Sequence, residues 1–131
     1  MKFSVDKTDR YTHFILNEEN LNSTVAPQLK SELVIFRNEG VENFIFDLSN
    51  VKYIDSSGLS AILTAYRLWK DGGTAVMTGV KSDMVRKLIE ISRLDTILAI
   101  VPTLEESIDY VMMSELEREL KAEADTDDTM Q

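Results

Sequence analysis

Three short apolar runs, "NFIF" at residues 43 to 46, "TAVMTGV" at 74 to 80 and "TILAIV" at 96 to 101, are separated by segments whose apolar residues recur at helical spacing. No other feature of the sequence limits the fold as strongly. Buried strands of a parallel sheet read as continuous apolar runs, and parallel neighbours need a crossover long enough to hold a helix. The intervening segments meet that need. Leu59, Ile62, Leu63, Tyr66 and Trp69 form one helical stripe stopped by "DGG" at 71 to 73, and Ser82 stands at a cap position before Val85, Leu88, Ile89 and Ser92. Upstream, Val25, Leu29, Leu33 and Phe36 predict a helix with Pro27 in its first turn and Gly40 at its end. Downstream, Thr103 and Glu106 have capping-box spacing and Leu104, Ile108, Val111 and Met112 follow on one stripe. At the amino end, "KFSV" and "YTHFIL" flank the polar "DKTDR" and read as a hairpin.

The order predicts an α/β fold: one domain over residues 1–116, with a mixed, mostly parallel sheet, an amino-terminal β-hairpin and about four helices. A chain of 131 residues suits a single core. Residues 117–131 are expected to be an acidic, disordered tail, because residues 115–131 hold seven acids against Arg118 and Lys121, a net of −5 out of the chain's −9. That acidity repels phosphate backbones and anionic lipid, so neither nucleic acid nor a membrane surface is an expected partner. With no cysteine and only His13, the sequence predicts no disulfide, no metal and no bound cofactor. The start "MKFSVDKTDRY" lacks an apolar signal core, and no stretch approaches the ~20 apolar residues of a membrane span. A cytoplasmic protein is the expectation.

Ligands and partners of such sheets meet the loops at the carboxyl ends of the strands. "DSSGL" lies on such a loop, between "NFIFDLSNV" and a helix expected to begin near Gly58. Asp55, Ser56 and Ser57 are all good N-cap residues, and any of the three could cap it. A helix amino terminus also tolerates the ~−1.5 to −2 charge of a phosphoserine with little damage to the fold. The residues thus allow a structural cap and a phosphate acceptor at once, with Gly58 keeping the approach to the hydroxyls open. Val51, Tyr53, Leu59 and Ile62 flank the loop and either join that patch or the core.

"IFDLSNVKYIDSSGLSAIL", followed by "GG" and a hydrophobic strand, resembles the STAS domain family and, within it, the bacterial anti-sigma factor antagonists. The resemblance implies a partner switch in which this chain is a substrate and not an enzyme. The serine directly after the box aspartate, here Ser56, is the implied phosphorylation site. The unphosphorylated form is expected to bind an anti-sigma factor that is also a serine kinase of the histidine-kinase-like ATPase type, releasing a sigma factor, and a PP2C-type phosphatase is expected to reset it. Asp55, Ser57, Gly58 and Asn22 are the expected partner-binding residues, with Asp55 expected to orient Ser56 or contact the kinase and Ser57 to cap the helix. Two stretches depart from the family's pattern: "NEENLNST" offers Glu19 and Asn22 where a "GxLD"-like turn is common, and "SRL" puts Arg93 where glycine is common. An arginine there is mildly strained if its φ is positive.

The alternative within the family is a non-switching STAS adaptor subunit of a transporter or signalling assembly, which binds alike with and without phosphate. Outside it, a response-regulator receiver needs a lysine before the proline after its last strand, and here Val101 precedes Pro102. "DSSGLS" is not the G-x-S-x-G of a hydrolase, and His13 in a strand-like run reads as structural.

Overall fold

The structure is a computed structural model that describes residues 1–129, with side chains through residue 125. The expected hairpin pairs β1 (Phe3–Lys7) antiparallel with β2 (Thr12–Leu16). A two-residue strand, β3 (Asn20–Leu21), leads into α1 (Ala26–Asn38) and then β4 (Asn43–Asp47). After β5 (Tyr53–Ile54) come α2 (Ser56–Trp69), β6 (Thr74–Thr78) and α3 (Asp83–Ser92). A 3₁₀ turn over Leu94–Thr96, β7 (Ala99–Val101) and α4 (Leu104–Thr129) complete the chain. The main sheet has the order β1-β2-β4-β6-β7, and every pairing after β1·β2 is parallel.

The sheet has a helical layer on each face. On one face α1, α2 and α3 bury Leu29, Leu33, Ile62, Ala65, Val85 and Ile89 against the large core side chains of β2, β4 and β6. Phe44 of β4 stacks on Trp69 at 4.5 Å between centroids, and Trp69 Nε1 donates to Val41 O at 2.9 Å, so the indole is buried with its one polar atom satisfied. On the other face Val111 of α4 packs on Ile45 and Val76.

Three expectations need correction. β3 and β5 form a separate two-stranded parallel sheet, where the sequence showed only a loop and a strand end. Two residues are too few to display a period of two. The last strand covers only Ala99–Val101 of "TILAIV", because Ile97 N–H donates to Leu94 O at 3.2 Å and closes a 3₁₀ turn first. Third, α4 does not stop near residue 117. It runs unbroken from Leu104 to Thr129, since "ELERELKAEA" is built from strong helix formers. It is also tethered beyond the expected boundary: Arg118 donates to Thr74 Oγ1 and, at 3.2 Å, to Asn43 Oδ1. The acidic pair Asp127 and Asp128 lies outside the described side chains, and Met130 and Gln131 outside the described residues.

Candidate functional site

Ser56 is placed by the small β3·β5 sheet. After β4 the chain turns through Leu48 to Val51, and β5 aligns Tyr53 with Asn20 and Ile54 with Leu21. Lys52 and Tyr53 N–H groups donate to Glu19 O, and Asp55 N–H donates to Leu21 O at 3.3 Å. Held this way, Asp55 keeps an extended conformation (φ −113, ψ −171), and its carboxylate accepts from Gly58 N–H at 3.0 Å. Asp55 is therefore the N-cap of α2. The expectation that Ser57 caps the helix and that the helix starts near Gly58 is corrected: Ser56 is already its first residue. An N-cap must be non-helical, and the strand pairing fixes that geometry at Asp55, two residues earlier than Ser57.

Gly58 is corrected too. It is buried against β3 and β5, where a Cβ would lie 2.3 Å from Leu21 O and 2.6 Å from Ile54 Cγ1. It lets α2 seat on the small sheet and does not keep an approach to the hydroxyls open. Ser56 is exposed and Ser57 half-buried. Among the described residues, nothing bonds to Ser56 Oγ or to the amides of Ser56 and Ser57, so two unpaired helix-terminal donors stand beside a free hydroxyl.

Ser56, Ser57 and Ser60 line a shallow hollow of ≈ 380 Å³ with Ser23, Ala26, Pro27 and Lys30 of the α1 entry. Lys30 is its one cation, and its Nζ donates to Ser60 Oγ at 2.9 Å. Lys30 and Ser60 lie 30 residues apart in sequence and meet because α1 packs alongside α2. Asn22 is half-buried at the entrance to α1 and makes the expected turn, its Oδ1 accepting from Thr24 N–H at 3.0 Å and Val25 N–H at 3.4 Å. Of the flanking apolar residues, Val51 and Ile62 are buried, Leu59 is half-buried against the core, and Tyr53 is exposed. Met84, also exposed, lies in the first turn of α3 beside β5, because its helix is capped by Ser82, whose hydroxyl donates to Lys52 O at 2.7 Å. Met84 was missed because only the fold brings α3 to this loop.

The remaining polar features are structural. His13 Nε2 lies 2.8 Å from Asp47 Oδ2 on neighbouring strands, both largely buried. Burial pushes the Asp47 pKa up, but hydrogen bonds from His13, the Ser49 hydroxyl and the Ser49 N–H outweigh it and hold the carboxyl below its ordinary value. Arg93 sits at φ 62 as the C-cap of α3, the positive φ anticipated for a glycine position. Among the described residues there is no cluster of His, Cys, Asp and Glu able to hold a metal ion, and no helix long and apolar enough to cross a membrane.

The profile of the STAS domain family matches residues 3–107. A protein of Bordetella bronchiseptica, BtrV, named as a candidate anti-sigma factor antagonist, is 34% identical over 93 residues, covering 70% of this chain and 78% of that protein. A candidate anti-sigma factor antagonist of Thermotoga maritima superposes with a TM-score of 0.73 at 26% identity, covering 84% of this chain and 94% of its own. SpoIIAA of Bacillus, solved in its phosphorylated form, shares the fold with a TM-score of 0.64 at 23% identity, covering 84% of this chain and 99% of its own.

Proposed function

The chain belongs to the STAS domain family, alongside proteins named as anti-sigma factor antagonists, and from that premise we propose that it works as a phosphorylation-controlled partner switch with Ser56 as the acceptor. In the unphosphorylated state the α2 amino terminus, with Asp55, Ser57 and the exposed Tyr53 and Met84 around it, docks on an anti-sigma factor that is also a serine kinase of the histidine-kinase-like ATPase type. A sigma factor is thereby released. ATP belongs to that partner: its γ-phosphoryl group passes to Ser56 Oγ, the hydroxyl proton leaves, and ADP remains with the kinase. A PP2C-type phosphatase removes the phosphate. Gly58 and Asn22 act by shaping the loop and the α1 entry.

The observation that carries this reading is the free, exposed Ser56 hydroxyl at the first position of α2, beside unpaired amides and one turn from the Lys30–Ser60 contact. A phosphate there meets helix-terminal N–H groups and a cation, so the fold tolerates it. The docking surface does not. A doubly charged group at the centre of an interface must shed water or expel its partner, and each 1.4 kcal/mol lost is tenfold in affinity. Ser56→Ala and Ser56→Asp proteins serve as baits in extracts of the native cells. The proposal expects an ATPase-type kinase retained by Ser56→Ala and lost from Ser56→Asp; equal retention by both would favour a non-switching adaptor.

A further inference from the structure

The surface least explained by the Ser56 site is the outward face of α4. The inner face of this helix is accounted for, with Ser107 and Val111 fully buried and Glu115 and Arg118 reaching Asn43 on the sheet. On the other side Met113, Leu116 and Leu120 are 59%, 46% and 56% exposed. At 3.6 residues per turn these three fall within about 60° of one another and roughly opposite Val111, and Tyr110 borders them. Scattered apolar residues on a surface need no explanation, but an i, i+3, i+7 seam on a helix anchored behind by Glu115 and Arg118 is a preformed ridge.

Charge specifies what fits it. Glu105, Glu106, Asp109, Glu117 and Glu123 fall on the same outward half of the helix by the same spacing, while Arg118 and Lys121, the two bases of α4 among the described side chains, fall outside it. A second copy of this chain would set these acids against one another in a self-complementary contact, and an anionic lipid surface would be repelled as well. We infer that the outward face of α4 is a docking surface for a basic amphipathic helix of a partner protein, one whose leucine-like residues meet Met113, Leu116 and Leu120 while flanking lysines or arginines meet the acids. From Glu105 to Leu120 the ridge is roughly 22 Å long, enough for four turns of such a helix. It lies on the opposite face of the sheet from α1 and α2, so it stays open whatever occupies Ser56, and the inference does not depend on the switch.

The test is a titration of the full chain, labelled at Met and Leu methyl groups, with a synthetic helical peptide of leucines at i, i+3, i+4 spacing and lysines elsewhere. Shifts centred on Met113, Leu116 and Leu120 are expected. Binding should weaken at least tenfold in the Met113→Ser/Leu116→Ser/Leu120→Ser variant and severalfold in Asp109→Asn/Glu117→Gln, which keeps the apolar ridge should the triple variant fail to fold. A matched leucine–glutamate peptide should not bind. Shifts centred elsewhere, or unchanged affinity in both variants, would overturn the inference. So would a dimer of the unmodified chain in sedimentation that the triple variant abolishes, since that assigns the ridge to a second copy.

Discussion

At Gly58 two backbone preferences oppose each other. Alanine is favoured over glycine inside a helix by about 1 kcal/mol, yet the added methyl would meet the Leu21 carbonyl at 2.3 Å. A backbone oxygen cannot rotate away as a side chain can, so overpacking wins, and Gly58→Ala is expected to lower stability by about 1–3 kcal/mol in urea unfolding. Asp47 gives a prediction in pH. Its folded pKa is held below the ordinary value, so the unfolded chain takes up the proton first as pH falls. The stability it contributes is complete above about pH 4 and drains away below that, as pH falls through the folded pKa. Asp47→Asn should cost about 1–3 kcal/mol at pH 7 and should flatten the loss of stability between pH 4 and 2. Unfolding curves at both ends of that range check both parts.

At the scale of elements, the N-cap of α2 divides three adjacent candidates. Only Asp55 bonds to a first-turn amide, so Asp55→Ala should destabilise by about 1 kcal/mol and loosen the turn that carries Ser56, while Ser57→Ala should have a much smaller effect in the same melting experiment. The sequence could not make this distinction, because Asp, Ser and Ser are all good caps and the choice falls to the β3·β5 pairing, a contact between residues 33 apart. The longer elements were readable, since Leu59 to Trp69 and "NFIF" each carry a period or an apolar run long enough to recognise. Gly58 was misread because a glycine on an open loop and a glycine pressed on a carbonyl look alike in sequence. The end of α4 is illegible for another reason: the acids of residues 115–131 point to disorder, while the same stretch is rich in helix formers and Arg118 ties it to Thr74 and Asn43.

At the scale of the whole molecule the two helical layers cover opposite faces of the sheet. The α1, α2 and α3 side carries Ser56, with Tyr53, Met84 and Lys30 around it, and α4 closes the other face. On the proposed reading a phosphate at Ser56 would change exposed surface and leave the core under it intact, so the switch would need no refolding, only a lost interface. That claim meets its most direct test in phosphosite mapping by mass spectrometry, on protein taken from its own cells in growth and under stress with phosphatases blocked. Trypsin releases Tyr53 to Arg67 as one peptide, and fragment ions separate Ser56 from Ser57 and Ser60. Phosphate on Ser56 whose occupancy changes between the two conditions is the predicted result. An unmodified peptide in both, or phosphate confined to Ser57 or Ser60, would contradict it.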